Sequence, residues 1–115
     1  MAVRRTEQVL ARRAPVAWGM RSRLVGLLRH QRLSDGEGLL LPSCRAIHTF
    51  GMRFAIDVVF VDRSGRVVAL QSQMGPGRLS PIVWGASRVL ELPAGTIQRS
   101  RVQVGDELAI EPAST

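Results

Sequence analysis

The residues of this sequence best suited to chemistry are one cysteine, one histidine and a few carboxylates in its central part. Cys44 and His48 lie four residues apart, and Asp57 follows nine residues after His48. A thiol becomes a nucleophile at neutral pH when an adjacent base takes its proton, and a histidine oriented by a carboxylate can be that base. The constellation also includes Thr49 and Asp62, with Glu91 as an outlying carboxylate. If the protein is an enzyme, a hydrolase or transferase, its catalytic candidates are Cys44, His48 and Asp57.

The spacing of Cys44 and His48 nevertheless favours a structural role for both. Pro42 and the apolar run 39–41 precede them, so the segment is predicted to be extended rather than helical. In a strand, at ~3.3 Å per residue, the two side chains are about 13 Å apart, which is beyond hydrogen-bond distance. We therefore expect Cys44 to be a small buried side chain and His48 a hydrogen-bonded turn residue, and we assign no catalytic residue.

Asp57 opens a strand whose other members are apolar, so its carboxylate is predicted to face a dry environment. A buried carboxylate must be paired or hydrogen-bonded. Arg53 and backbone donors near Thr49 are the expected partners. Two interpretations follow: Asp57, His48 and Thr49 line a small polar pocket, or Asp57 ties down the loop that precedes it.

Trp84 lies in a glycine-bearing segment after a loop, residues 74–78, that contains two glycines and a proline. A tryptophan in such a place is either an exposed binding anchor or a cover for one end of a barrel. Loops held by a rigid scaffold often carry function. The candidate binding residues are therefore His48, Thr49, Asp57 and Trp84.

Metal and nucleotide chemistry find little support in the sequence. No glycine-rich run leads into a helix with a following lysine, and the chain has no lysine at all. One cysteine and two histidines, His30 and His48, do not make a metal site without several carboxylates. We expect no cofactor and no metal.

Composition indicates one globular domain. The chain has 115 residues, of which 45% are hydrophobic and 22% charged, and no apolar run approaches the ~20 residues of a membrane span. No signal peptide is recognisable, and a single cysteine cannot form an internal disulfide. We expect a cytoplasmic protein; its oligomeric state is left open.

The positive charge is concentrated in the first third of the chain. Residues 1–32 hold eight arginines and one acid, whereas residues 33–115 hold eight of each. Such a segment attracts nucleic acid or anionic lipid through counterion release. No base-reading motif accompanies the charge, so weak, non-specific nucleic-acid binding is the expectation.

Periodicity predicts a mainly β fold with one or two short helices. Residues 1–20 form a basic arm or edge strand, and residues 21–112 form a single β-rich domain. The predicted helices are residues 20–30 and 96–101; the predicted strands are 39–41, 56–61, 67–70 and 89–92, followed by two strands within 102–110 that are hinged at Gly105 and Asp106.

Several landmarks resemble a known family. They are the run 23–29, the turn and strand 36–40, the strand 56–62 with Gly65 and the pair 67–68, the stretch 89–96, and the hinge 104–106. Together they are similar to the bacterial and archaeal family called domain of unknown function 192.

The resemblance implies a compact, mainly β domain of barrel-like or cradle-like form, with no assigned activity. The Gly105–Asp106 hinge resembles a motif of small cradle-like barrels, in which the glycine takes a positive φ and the aspartate caps the turn. Many relatives carry tryptophan, methionine, lysine, asparagine and threonine before the strand 56–61, where this chain has residues 47–52. A role of that lysine or asparagine is therefore not carried over.

The function expected from the sequence is non-enzymatic binding of a small ligand or a protein partner. The surface expected to carry it bears His48, Asp57 and the loop 74–84. The alternatives are the Cys44-based enzyme and a weak nucleic-acid binder that uses the basic first third.

Overall fold

The structure is a computed structural model that describes residues 2–3, 8–9 and 38–109. Three features of the sequence analysis lie outside these residues: the predicted helix 20–30, most of the basic first third, and Ile110. The described elements, in chain order, are β1 (Ala2–Val3), β2 (Gln8–Val9), β3 (Leu39–Pro42), β4 (Ile56–Val61), β5 (Val67–Met74), β6 (Arg88–Pro93), α1 (Thr96–Ser100) and β7 (Leu108–Ala109).

Two antiparallel sheets contain these strands. The larger has the strand order β3-β6-β4-β5, and the smaller has the order β2-β1-β7. The described part of the chain is thus mostly β with one short helix, as the sequence predicts. No helix among the described residues is long and apolar enough to cross a membrane.

Strand β4 is at the centre of the larger sheet, and all six of its residues are buried. Because successive side chains of a strand point to opposite faces, β4 contributes to two cores. Ile56, Val58 and Phe60 join one hydrophobic cluster, and Val59 and Val61 join another. This explains why its sequence reads as an almost continuous apolar run rather than as an alternating one.

The hairpin between β4 and β5 follows the sequence prediction, but β5 is longer than expected. The predicted strand 67–70 continues to Met74. An extra residue enters β5 opposite Asp57, because Ile56 pairs with Met74 whereas Val58 pairs with Gln71. This β-bulge places Gln73 at φ 51°, a backbone conformation that residues other than glycine rarely adopt.

The prediction of two strands within 102–110 is wrong for the first of them. Within the described residues, only Leu108–Ala109 forms a strand there. Residues 103–106 form a turn, in which the amide of Asp106 donates to the carbonyl of Gln103 and the Asp106 carboxylate accepts from the Gln103 amide. Gly105 has φ 98°, so the roles predicted for the glycine and the aspartate are confirmed.

Gly65, in the turn between β4 and β5, lies close to the backbone of β7. Its φ is 91°, and a Cβ added there would lie 2.6 Å from the carbonyl oxygen of Leu108. Gly77 also has a positive φ, 70°, but no atom lies within 4 Å of its added Cβ. We expect Gly65→Ala to lower the free energy of unfolding by more than about 2 kcal/mol, and Gly77→Ala by about 1 kcal/mol or less.

Both variants place an alanine at a positive φ, but only Gly65→Ala also brings a Cβ against the carbonyl oxygen of Leu108. Urea unfolding of the two variants separates these two contributions to the free energy of unfolding. Equal destabilisation would contradict the close approach of Gly65 and Leu108.

Candidate binding surface

Asp57 is fully buried, and backbone amides satisfy both oxygens of its carboxylate. Oδ1 accepts a hydrogen bond of 2.7 Å from the amide of Gln73 at the bulge of β5. Oδ2 accepts one of 2.7 Å from the amide of Ile97 in the first turn of α1. The expected pairing with Arg53 is wrong, because Arg53 is exposed and the carboxylate takes its partners from the backbone of two other elements.

The bond to Ile97 replaces a missing helix cap. The N-cap residue of α1 is Gly95, which has no side chain to accept from the first amides of the helix. Asp57 supplies that acceptor from the neighbouring strand. One buried carboxylate therefore fixes both the bulge of β5 and the start of α1.

Thr49 is also fully buried, and it organises the loop that follows β5. Its hydroxyl donates to the carbonyl of Gly75 at 2.6 Å and accepts from the amide of Arg78 at 2.8 Å. Its own amide donates to the Arg78 carbonyl, and its carbonyl accepts from the amide of Gly77. Thr49 thus holds the loop from beneath.

Two segments, residues 44–54 and 75–87, lie side by side beyond the sheet; we call them together the loop face. Their backbones pair in antiparallel fashion and continue the β3–β6 ladder. Cys44 donates to the carbonyl of Ser87, Val83 donates to Arg45, and Ser80 donates to Ile47. His48 and Leu79 complete the pairing with an isolated bridge.

Large apolar side chains are exposed along the loop face. Trp84 is 74% exposed and Leu79 is 70% exposed, and Ile82 and Phe50 are about half exposed. The only other large apolar side chain of comparable exposure among the described residues is Val104, which lies off the loop face. An apolar surface of this kind is a common mark of an interaction site.

The charge of the loop face is entirely positive. Neither of its segments contains an aspartate or a glutamate, and together they carry Arg45, Arg53 and Arg78. All three arginines are exposed. The surface therefore combines an exposed tryptophan with guanidinium groups, and both kinds of side chain are enriched among the residues that contribute most at protein interfaces.

His48 and Cys44 make local contacts within the loop face. The ring of His48 stacks on Phe50, with ring centroids 5.2 Å apart and planes inclined by 26°. The Cys44 thiol donates to the carbonyl of Ala46 at 3.0 Å. The segment from Cys44 to His48 is not helical and bends at Arg45, and the carboxylate of Asp57 binds the amides of Gln73 and Ile97 rather than His48.

An open cleft of about 400 Å³ lies beside Trp84. The turn between β4 and β5 forms one wall, with Asp62, Arg63 and Ser64, and the loop face forms the other. The remaining residues that line the cleft are Arg45, Trp84, Gly85, Ala86 and Ser87.

Asp62 is the one acid of the cleft, and it is engaged in its own turn. Oδ1 accepts from the hydroxyl and the amide of Ser64 and from the amide of Arg66. The Ser64 hydroxyl and then the Arg66 amide hold the pKa of this carboxyl below its ordinary value. Among the described residues, no three of the histidines, cysteines and acids come together in a group that could hold a metal ion.

Sequence reasoning found some residues of this surface and missed others. Trp84 is exposed, as a binding anchor requires, and His48 lies on the loop face; Thr49 and Asp57 lie beneath the surface as supports. Phe50, Leu79 and Ile82 were not among the candidates. Their signal was present in the sequence, because these apolar residues lie among glycines, prolines and arginines with no regular period.

The fold and this surface define a class: a small antiparallel β domain with an exposed apolar and cationic loop face. The profile of the family described as uncharacterised ACR, domain of unknown function 192, matches residues 1–110. The chain belongs to this family, so the resemblance seen in the sequence is confirmed.

Individual relatives agree with this assignment. The chain is 31% identical over 113 residues to a UPF0127 protein of Thermococcus sibiricus, a match that covers 94% of this chain and 73% of the relative. The fold is similar to that of a protein of unknown function from Novosphingobium aromaticivorans, with a TM-score of 0.71, 22% identity, and coverage of 82% and 71% of the two chains.

A second solved structure shares the fold. It is named a "putative transcription regulator" from Sinorhizobium meliloti, with a TM-score of 0.68, 22% identity, and coverage of 82% and 78%. The family and these structures are of unknown function or carry only that name, and they support no specific activity.

Replacement of Asp57 tests its supporting role. Asp57→Ala leaves the amides of Gln73 and Ile97 without their acceptor, so we expect the free energy of unfolding to fall by about 1 to 3 kcal/mol. Glu107→Ala is the matched control: its pair with Arg66, at 3.6 Å, joins two side chains that are about half exposed. We expect that change to cost less than Asp57→Ala, because ion pairs between exposed side chains contribute little. Thermal or urea unfolding measures both, and wild-type stability in Asp57→Ala would contradict the buried role.

Proposed function

We propose that this protein is a non-enzymatic binding domain that recognises another protein through the loop face. The observation that carries the proposal is the exposure of Trp84, Leu79, Ile82 and Phe50 on two adjacent segments that contain no acid. Apolar side chains of this size lose the benefit of burial when they face water, at about 25 cal/mol per Å². A partner that covers them recovers that free energy.

The shape of the surface supports a protein partner over a small molecule. Drug-sized ligands are mostly enclosed, with roughly 70–90% of their surface buried in a typical pocket. The clefts along the loop face are open to solvent, and the large apolar side chains there are about half exposed or more. A surface of this shape is complementary to a partner that is itself extended or concave.

The contacts of the catalytic candidates favour binding over catalysis. Asp57 gives both oxygens to backbone amides, and the Cys44 thiol donates to a backbone carbonyl. A triad needs the carboxylate to orient the histidine and the histidine to accept from the thiol. The observed hydrogen bonds use Asp57 and Cys44 to hold the chain in place.

A cytoplasmic location is part of the proposal. The sequence contains one cysteine, Cys44, and a small domain exported to an oxidising compartment is often stabilised by disulfides. Here the buried cores and the Asp57 carboxylate stabilise the described part of the chain.

Selection from a displayed library of random peptides tests the proposal, because such a library samples many partner chemistries at once. We expect peptides to be enriched on the wild-type protein and to bind Trp84→Ser and Leu79→Ser about five- to thirtyfold more weakly, which corresponds to about 1 to 2 kcal/mol. Val104→Ser is the matched control, because it removes an apolar side chain of comparable exposure away from the loop face.

Two results would contradict the proposal. The first is a library that yields no binder, or only binders that tolerate Trp84→Ser and Leu79→Ser as well as they tolerate Val104→Ser. The second is tight, Trp84-dependent binding of a single-stranded oligonucleotide at physiological salt, because stacking on an aromatic beside arginines would then assign the surface to nucleic acid.

A further inference from the structure

We infer that the cleft beside Trp84 is a binding site for an oxyanion, a carboxylate or a phosphate, presented by the partner of the loop face. This inference rests on the proposed function and adds the chemistry of the group recognised. It depends on three features: the charge of the cleft, its hydrogen-bond donors, and the position of the tryptophan.

The residues that line the cleft include two arginines and one aspartate, so the net charge of the lining is positive. Arg45 approaches from the loop face and Arg63 from the β4–β5 turn, and both are exposed. The carboxylate of Asp62 is the opposing charge, but three hydrogen bonds direct its Oδ1 into the turn. Arg88 lies behind the same turn, where it donates to the carbonyls of Asp62 and Arg63.

The two guanidinium groups that line the cleft have N–H donors that no acceptor among the described residues uses. Arg45 uses one nitrogen, Nε, in a long contact of 3.4 Å to the carbonyl of Ala86. Within the part of the chain that the structure describes, the Arg63 side chain makes no hydrogen bond or ion pair. A guanidinium carries five N–H donors arranged to match a carboxylate or a phosphate, so two of them can bind one oxyanion from opposite walls.

Ser87 contributes its fixed backbone to the cleft rather than its hydroxyl. The Ser87 hydroxyl is buried, and it has no hydrogen-bond partner among residues 38–109. The Ser87 amide, by contrast, is bonded to the carbonyl of Val61, so the backbone beneath the cleft is fixed.

Trp84 supplies the remaining part of the site. It lies in the turn closed by the bond from the Ala86 amide to the Val83 carbonyl, and it lines the cleft with most of its side chain exposed. An indole next to two arginines packs on the apolar part of the residue that carries the oxyanion and offers its own N–H to that group. The site therefore selects an acidic or phosphorylated side chain over a free inorganic ion.

Amide NMR of the ¹⁵N-labelled protein tests the inference with three probes: acetate, inorganic phosphate and phosphoserine, at constant ionic strength. We expect saturable shifts of the Ser64, Gly85 and Ser87 amides and of the Trp84 indole N–H. Saturation by phosphoserine at lower concentration than by phosphate or acetate assigns a phosphorylated partner, and saturation by acetate at the lowest concentration assigns a carboxylate.

Charge variants give the control. Arg45→Gln and Arg63→Gln should each weaken binding roughly three- to fivefold, the expected effect of one exposed charge pair. Arg53→Gln removes the same charge from the loop face outside the cleft and should leave the affinity unchanged. Shifts that stay linear, or that Arg45→Gln, Arg63→Gln and Arg53→Gln reduce equally, overturn the inference.

The outcomes also separate this inference from the proposed function. Suppose that peptide binding requires Trp84 and Leu79 but is unchanged in Arg45→Gln and Arg63→Gln, and that no probe gives a saturable shift. The loop face is then a protein-binding surface, and the oxyanion site is overturned. Saturable oxyanion shifts without any peptide binder overturn the proposed protein partner instead.

Discussion

The buried carboxylate of Asp57 is the interaction on which the arrangement of the described chain depends. It lies on the central strand and accepts hydrogen bonds from two amides that are distant in sequence, those of Gln73 and Ile97. A charge without water is costly unless it is paired or hydrogen-bonded, and here two short bonds from backbone donors meet that need. The same bonds satisfy an amide at a bulge and an amide at an uncapped helix start, each of which would be costly to leave unmade.

The influence of Asp57 extends to the loop face through the chain that follows the bulge. The extra residue in β5 determines where Met74 ends the strand and where Gly75 begins the loop. The Thr49 hydroxyl then binds this loop by donating to the Gly75 carbonyl and accepting from the Arg78 amide. Leu79 comes next, opposite His48. The exposed residues are thus held by buried polar contacts, which lower the entropy lost when a partner binds.

Much of the fold could be predicted from the sequence because it depends on local signals. The apolar strand of residues 56–61 and the turn that ends at Gly65 are each set by neighbouring residues. The bulge could not be predicted, since the donors that bind Asp57 come from residues 16 and 40 positions away. The alternation in 102–104 predicted a strand, but the bond from the Gln103 amide to the Asp106 carboxylate formed a turn instead.

The candidate site was predictable only in part, for a related physical reason. The sequence places Trp84, His48, Thr49 and Asp57 in or near the loops. In the structure Thr49 and Asp57 are buried supports, whereas Trp84 and His48 lie on the loop face. Threonine and aspartate have acceptors that backbone amides can use, so they lie beneath the surface; the apolar Leu79, Ile82 and Phe50 lie on top, against the usual preference of such residues for the core. Exposure depends on long-range packing, which hydrophobic periodicity does not encode.

Residue-resolved hydrogen exchange in the wild type and in Asp57→Ala tests most directly whether one carboxylate couples these elements. The amide of Val59, on the central strand, reports global opening and serves as the reference. The account predicts that the amides of Gln73, Ile97 and Arg78 all exchange faster in the variant relative to Val59. Faster exchange at Gln73 alone, with Ile97 and Arg78 protected as in the wild type, would contradict it.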